Sequence, residues 1–307
     1  MICRTDPPVH TPYDGSSMPF SIGLKPLDLG GWIEVDQHYE VHLAEKDRLI
    51  TERPNAVFAA EHGTEAAQAE VRDLVVAAMD GPTVFPGEAE RKLYRERRHR
   101  FAGTEAEPAL QAAARLVQED LVLMRKGEAG WRLAAASLCF PSSWSLAEKF
   151  GRPLADIHGP VPGFGRGTRP AELIERMFDK LQGQAVIRWN WSLQPDPTLH
   201  RPRSEHQRAN PAETVTQRFA GDDPAAAAFI RVERQTLRKL AGSSDVLFTI
   251  RIHLDPMETL RRHEDRAAIA ASFAKQLAAL DMAQLDYKGL AADRDRLVAA
   301  LDKIAAG

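Results

Sequence analysis

Residues 229–238 and 246–254 have the sequences FIRVERQTLR and VLFTIRIHL, and these two stretches decide the fold class. In the second stretch the apolar residues at 246, 248, 250 and 252 alternate with a set that includes Thr249, Arg251 and His253. A period of two residues is typical of a β-strand, because successive side chains point to opposite faces. The segment AGSS at 241–244 carries turn-forming residues. The two stretches are therefore predicted to form a β-hairpin.

Three further stretches upstream have strand character. They are LVLM at 121–124, WRLAAASLC at 131–139 and QAVIRWNWSL at 184–193. The first two are joined across Gly127 and Gly130, which indicates a second hairpin. The chain thus has two strands, a helical excursion and three more strands, which is also the order of a PAS domain. We predict an α+β fold with a PAS-like, mixed or antiparallel five-stranded sheet and helices over one face.

Helical patterns fill the rest of the chain. Helices are predicted over 36–60, 65–79, 143–150, 153–157, 170–181, 265–280 and 291–304, after an irregular arm at 1–31. This divides the chain into an N-terminal arm and helical layer at 1–105, a core at 106–262, and C-terminal helices at 263–307.

The composition of the chain disfavours nucleic-acid-binding, secreted and membrane-spanning proteins. The 307 residues are 44% hydrophobic, and 40 basic residues against 43 acidic ones give a net charge of −3, which does not favour nucleic-acid binding. The N-terminus lacks the apolar core of a signal peptide, no stretch approaches a membrane span, and Cys3 and Cys139 form no CxxC motif. We expect a soluble, cytoplasmic protein.

A basic run at 88–100 is either a solvated face or a docking surface for an acidic electron-transfer partner.

The stretch IHGPVP at 157–162 holds one histidine in a short rigid loop. Pro160 and Pro162 fix backbone angles and remove two N–H donors, so the loop cannot readily join a helix or sheet. Two interpretations remain open on these residues alone. His158 either satisfies nearby backbone groups at the end of a helix, or it is a positioned ligand.

Four separated motifs occur in one order along the chain: CFPSSW at 139–144, IHGPVP at 157–162, NWS at 190–192 and RVERQTL at 231–237. Together with GLKPL at 23–27, FTIR at 248–251 and YKG at 287–289, they make the chain resemble the haem-dependent oxidative N-demethylase family. The resemblance implies a PAS-type sheet that binds b-type haem and uses O2 to demethylate a small secondary amine such as dimethylamine. Formaldehyde is then released, and electrons come from a separate reductase with a flavin and an iron-sulfur centre.

The resemblance makes His158 the candidate ligand of the haem iron, because haem-binding PAS domains place their proximal histidine in the helical excursion. Propionates need cations, and arginine holds carboxylates with two parallel hydrogen bonds. Arg188, Arg231 and Arg251 lie within predicted strands. Arg231 and Arg251, on adjacent strands of one hairpin, are the preferred pair near a propionate or an iron-bound ligand. Cross-strand ion pairs are the alternative for each arginine.

An amine substrate adds a second requirement, because its ammonium form needs a carboxylate or an aromatic face. Glu233 shares strand parity with Arg231 and is the candidate carboxylate, although it could instead pair with Arg231. Trp189 and Trp191 share one face of their strand and could wall the haem or the substrate, or could simply be core.

Two other functions remain compatible with the sequence. A non-catalytic haem sensor of gas or redox state would use the same sheet, but no output domain is recognisable. A haem-free interaction subunit would use the proline loop and the basic run for docking. The expected partners of the favoured enzyme are the amine, O2 and the reductase, with no nucleic acid and no membrane.

Overall fold

An antiparallel sheet of seven strands forms the centre of the computed structural model, which describes residues 6–103, 106–181, 183–202 and 217–307. The strands are β1 (Lys25–Pro26), β2 (Phe58–Ala60), β3 (Asp120–Gly127), β4 (Gly130–Ser137), β5 (Val186–Gln194), β6 (Phe229–Lys239) and β7 (Val246–Pro256). Their order across the sheet is β1-β5-β6-β7-β3-β4-β2. The predicted α+β class is confirmed, and β3 to β7 coincide with the five predicted strands.

The sheet has seven strands rather than the predicted five, because two short N-terminal segments cover its edges. Lys25 in β1 pairs with Ile187 in β5, and Phe58 in β2 pairs with Ser137 in β4. Segments of two and three residues are too short to show an alternating pattern. Covering the edge strands leaves fewer unpaired backbone groups at the edges of the sheet.

Twelve α-helices are described within these residues. They are α1 (Tyr39–Glu52), α2 (Pro54–Val57), α3 (Glu65–Asp80), α4 (Glu88–Arg97), α5 (Ala109–Ala114), α6 (Leu146–Lys149), α7 (Leu154–Ile157), α8 (Arg169–Lys180), α9 (Pro224–Ala227), α10 (Arg266–Ala278), α11 (Met282–Lys288) and α12 (Arg294–Ala306). The helix predicted over 36–60 ends early, because Pro54 starts a separate turn and 58–60 join the sheet. None of the described helices has the length and apolar character needed to cross a bilayer.

The helices pack on both faces of the sheet. On the front face, α8 and the loop after α7 bury Val122, Leu133 and Leu237 of the strands. On the rear face, α3 and α5 cover Leu121 and Leu247, and α10 and α12 form a second apolar layer. The predicted boundary at 105/106, the connection across 203–216 and Cys3 lie outside the described residues.

A buried ion pair fixes the point where the chain leaves the sheet after β4. The carboxylate of Asp120 accepts hydrogen bonds of 2.8 Å from the backbone N–H groups of both Cys139 and Phe140. The Lys46 ammonium lies 3.7 Å from the same carboxylate, and both side chains are fully buried. Lys46 also donates to the carbonyl of Val117 at 3.0 Å. This anchor sets the starting position of the helical excursion that carries α6 to α8.

Replacing Asp120 by alanine should therefore lower the free energy of unfolding by about 3–5 kcal/mol, because it leaves a buried ammonium without its counter-ion and two buried N–H groups without their acceptor. Urea denaturation measures this loss. The matched control is Asp73→Ala on α3, whose carboxylate is 69% exposed beside Arg72 and should change stability by less than about 0.5 kcal/mol. Equal urea midpoints for the two variants would contradict the role of Asp120 as an anchor.

Candidate functional site

A cleft opens between the front face of the sheet and the helical excursion. Its cavity volume is about 230 Å³. Its walls are mainly apolar and include Phe20, Ile22, Leu24, Val122, Met124, Leu133, Leu138, Ile157, Val161, Phe164, Phe248 and Ile250. The polar side chains that line it are Ser142, Lys149, His158, Arg188, Asn190, Glu233, Gln235, Tyr287 and Lys288. Apolar walls with a few convergent polar groups are typical of a binding site for a small molecule or cofactor.

His158 is positioned by the turn that ends α7. Its backbone N–H donates to the carbonyl of Leu154 at 3.0 Å, and its own carbonyl accepts from Val161 N–H at 2.8 Å. The imidazole lines the cleft, with its centroid 6.4 Å from the ring of Phe164. Within the described part of the chain, no side chain or backbone group forms a hydrogen bond with this imidazole. The loop therefore holds a ring whose nitrogens are available to a ligand.

The surroundings of His158 keep it neutral. Burial lowers the pKa of its imidazole to about 4, and the nearby positive charges of Lys149 and Arg188 act in the same direction. A neutral imidazole has a free nitrogen lone pair, which is the form that coordinates a metal.

Arg188 is a half-buried cation with a buried donor that is unused. It projects from β5 into the cleft, and burial lowers the pKa of its guanidinium. Its Nη2 donates to the carbonyl of Ser21 at 3.1 Å, whereas its Nε is buried and has no partner among the described residues. A buried donor without a partner is costly, so this guanidinium is suited to an anionic ligand.

Lys288 supplies a second half-buried cation, at the end of α11. Gly289 adopts a left-handed conformation (φ 65°), which ends the helix directly after the lysine. The ammonium donates to the carbonyl of Trp191 at 2.5 Å and lies 5.1 Å from the ring centroid of Phe20. Burial lowers the pKa of Lys288 to about 8. This amine can therefore exchange a proton near neutral pH.

Glu233 is the carboxylate of the cleft. It accepts hydrogen bonds from Gln235 Nε2 at 2.9 Å and from Asn190 Nδ2 at 3.4 Å. Its Oε1 lies 3.7 Å from Nε of Arg231. Glu233 also lines a smaller polar pocket that shares Ser142, Asn190, Tyr287 and Lys288 with the cleft. The carboxylate is thus held in place between two connected cavities.

Arg231 and Arg251, which were predicted to act as a pair near a propionate or an iron-bound ligand, lie apart. Arg231 is fully buried and donates to the carbonyls of Phe140 at 2.6 Å and Leu199 at 3.3 Å. Arg251 lies on the rear face, 2.8 Å from the carboxylate of Asp36. In the hairpin, Arg231 of β6 pairs with Leu254 of β7, so these two side chains lie on the same face of the sheet. Leu254 is three residues from Arg251 along β7, and side chains alternate between the faces. The side chains of Arg231 and Arg251 therefore point to opposite faces. Neither arginine lines the cleft.

The tryptophans share one face of β5, as expected, but it is the rear face. The ring of Trp189 lies 4.5 Å from that of His10. Trp191 packs 4.8 Å from Phe273 and donates to Gln276 Oε1 at 3.1 Å. Of the residues predicted to bind the cofactor, the structure brings His158 and Arg188 into the cleft and places both tryptophans behind it.

Two lysines that line the cleft, Lys149 and Lys288, are not among the site residues predicted from the sequence. Lys149 donates to the carbonyl of Ile157 at 3.0 Å and lies 4.9 Å from the ring of Trp144. Lys288 comes from the C-terminal helices, far away in sequence. The YKG motif at 287–289, with a glycine that ends a helix after a lysine, is the signal that could have indicated it.

A family model described as "Haem-dependent oxidative N-demethylase, alpha subunit-like" matches residues 23–298, nearly the whole chain. The matched region contains both the excursion that carries His158 and the strands that carry Arg188 and Glu233.

The low pKa of His158 predicts a pH-dependent stability in the ligand-free protein. Because its folded pKa of about 4 lies below the ordinary value of 6.5, the unfolded chain binds more protons between these values, and stability rises with pH across this window. His158→Gln should remove about 1–2 kcal/mol of that rise, after allowance for the partial exposure of the ring.

Urea unfolding at several pH values between 4 and 7 measures this effect. The control is His62→Gln, at a side chain that is fully exposed to solvent. Parallel stability profiles for wild type and His158→Gln would show that His158 is not held neutral by the fold.

Proposed function

Because the chain belongs to the haem-dependent oxidative N-demethylase, alpha subunit-like family, we propose that it is a monooxygenase that removes a methyl group from a small secondary amine. For dimethylamine, the amine, O2, two electrons and two protons give methylamine, formaldehyde and water. The electrons come from a separate reductase subunit that carries flavin and an iron-sulfur centre. The observation that carries the proposal is the neutral imidazole of His158, unpartnered within the described chain, in a cleft that also holds half-buried cations.

The described residues fit a haem. His158 would be the axial ligand of the iron, and the apolar walls would accommodate the macrocycle. The unpartnered Nε of Arg188 would bind a propionate, and Lys149 and Lys288 add positive charge to the same cleft. The sequence contains no CxxCH motif, so we propose b-type haem, held without covalent attachment.

A PAS-type core is consistent with this assignment. Two strands, β3 and β4, precede the excursion, and three strands, β5 to β7, follow it. The excursion between β4 and β5 carries His158 and faces the sheet across the cleft. We therefore propose that haem lies between the excursion and the front face of the sheet.

Glu233 is proposed to orient the substrate. A methylated amine is mostly a cation at neutral pH, and a carboxylate positioned by Asn190 and Gln235 can accept its N–H hydrogen bonds. Glu233 or the nearby amine of Lys288 can take the ammonium proton, which produces the neutral amine needed for oxidation. When bound, haem supplies the O2 and one-electron chemistry, while the apolar walls keep bulk water from the reacting methyl group.

This carboxylate favours an enzyme over a haem sensor. A diatomic gas needs no anionic partner, yet Glu233 is held by two amide side chains at the junction of the cleft and a polar pocket. A haem-free docking subunit gives no reason for the low pKa of His158 or the unused donors of Arg188. A demethylase uses all three groups.

The haem assignment predicts a strong Soret band in the visible spectrum of the purified protein. His158→Ala should lose the ligand and lower haem occupancy at least about tenfold, whereas His62→Ala, at an exposed side chain, should keep the wild-type spectrum. Absorbance and pyridine-haemochrome titration measure occupancy. Unchanged occupancy and band position in His158→Ala would refute the ligand assignment.

Glu233→Gln should leave haem bound and lower the rate of O2-dependent formaldehyde release from dimethylamine by about 10²–10⁴-fold, because the amide cannot accept the ammonium proton. The matched control is Glu88→Gln on α4, where the carboxylate is 74% exposed and activity should be unchanged. The assay needs a reductase as electron donor. Equal rates for Glu233→Gln and wild type would remove Glu233 from the mechanism.

A further inference from the structure

A second cluster of metal-ligating side chains lies on the rear face of the sheet. The carboxylate oxygen Oε2 of Glu34 is hydrogen-bonded to Nε2 of His10 at 2.9 Å and lies 3.3 Å from Nε2 of His253. A metal ion bound by all three residues would replace this hydrogen bond. One potential ligand atom from each residue lies within 4.8 Å of the other two. These residues come from the N-terminal arm, the segment before α1 and the strand β7. The fold thus brings two imidazoles and one carboxylate together from distant parts of the chain.

His253 has a buried ring nitrogen that no described residue satisfies. Its side chain is 5% exposed, and its Nε2 has no hydrogen-bond partner in the described residues. The nearby Glu34 oxygen lies at 3.3 Å but does not meet hydrogen-bond geometry. Buried polar atoms are almost always partnered, and an unpartnered imidazole nitrogen beside a carboxylate and a second imidazole is suited to a metal ion.

Surrounding groups orient the three candidate ligands. Nε of Arg234 lies 2.8 Å from Oε1 of Glu34, which leaves Oε2 directed to the two histidines. The carboxylate of Asp36 lies 4.0 Å from Nδ1 of His253, behind the ring, and is itself held by Arg251 at 2.8 Å. Carboxylates behind ligating histidines, and partners on ligating carboxylates, are typical of protein metal centres.

The local charge permits a cation. Glu34, Asp36 and Glu119 contribute three carboxyl groups, against the two guanidinium groups of Arg234 and Arg251. Oε1 of Glu119 accepts the backbone N–H of Glu34 at 3.1 Å, while its buried Oε2 has no partner in the described part of the chain. With all three carboxyls ionised and both histidines neutral, the group carries one negative charge, and with Glu119 protonated it is neutral, since burial raises the pKa of that carboxyl. In both states the group presents no net positive charge to a divalent ion.

We propose that His10, Glu34 and His253 bind a divalent transition-metal ion, of the class that includes Zn²⁺ and Fe²⁺. Zinc ligands lie at about 2.0–2.2 Å, which places neighbouring ligand atoms at roughly 3.3 Å in a tetrahedron. The distances of 2.9 and 3.3 Å within the cluster are close to this spacing. Two imidazoles and one carboxylate leave a coordination position open to water, and the side chains of His10 and Glu34 are 21% and 29% exposed.

This site is separate from the cleft and independent of the proposed haem. Trp189, whose ring contacts His10, points away from the cleft that Arg188 and Asn190 line. A metal ion here would join the N-terminal arm, through His10, to strand β7. Binding should therefore also stabilise the folded protein.

The test titrates Zn²⁺ into the full-length protein after treatment with a chelator. We expect one Zn²⁺ bound per chain by isothermal titration calorimetry and by elemental analysis after gel filtration, which distinguishes zinc from haem iron. His10→Ala, Glu34→Gln and His253→Ala should each weaken Zn²⁺ binding on the order of 100-fold or more. The control His62→Ala, at an exposed histidine, should bind as wild type.

Thermal unfolding separates loss of the site from loss of the fold. His10→Ala should still unfold cooperatively in EDTA, with a Tm below that of wild type because it loses the 2.9 Å hydrogen bond to Glu34. Zn²⁺ should raise the Tm of wild type and leave that of His10→Ala unchanged. Failure of wild type to retain Zn²⁺, or equal Zn²⁺ affinity in wild type, His10→Ala and His253→Ala, would overturn the proposal whatever the outcome for haem.

Discussion

The two-residue alternation of the central strands determines which side chains can act together. In β5, Arg188 and Asn190 face the cleft, whereas Trp189 and Trp191 face the rear layer. In β6, Glu233 and Gln235 face the cleft, while Arg234 joins the rear cluster with Glu34. In β7 the apolar Phe248 and Ile250 line the cleft, and Arg251 and His253 lie behind them. One sheet thus separates a mostly apolar cleft from a dense ionic cluster, and no side chain of these strands can serve both.

The position of the excursion depends on buried polar contacts rather than on apolar packing alone. Asp120 and Arg231 both bind the backbone at 139–140. The carboxylate of Asp120 accepts hydrogen bonds from two backbone N–H groups, and the guanidinium of Arg231 donates one to a backbone carbonyl. Each contact satisfies a group that burial would otherwise leave unpartnered. Because these residues lie at the start of the excursion, the same contacts set the distance between the sheet and the loop of His158.

Much of the fold could be predicted from the sequence, because long alternating stretches identify β3 to β7. The proline loop also singled out His158, which lines the cleft. The edge strands β1 and β2 could not, since two or three residues carry no periodic signal. Strand parity correctly grouped Trp189 with Trp191, but parity does not tell which face meets the cleft. That choice depends on tertiary packing: Trp191 is buried against Phe273 of α10, which is more than 80 residues away. Lys288 was missed for the same reason.

Arg188 and Arg231 show why residue type and burial are not enough to assign a role. Both lie on the front-facing side of adjacent strands, Arg231 fully buried and Arg188 half-buried, and burial lowers the pKa of both. Arg231 uses its terminal nitrogens on two backbone carbonyls and lies 3.7 Å from Glu233, and its Nε, like that of Arg188, is buried without a hydrogen-bond partner in the described residues. Arg231 does not line the cleft, whereas Arg188 does. Arg188 makes one hydrogen bond within the described chain and keeps a buried donor unused. Because Arg188 faces the cleft, its unused donor is accessible to a ligand, and a carboxylate fits the planar fork of a guanidinium best.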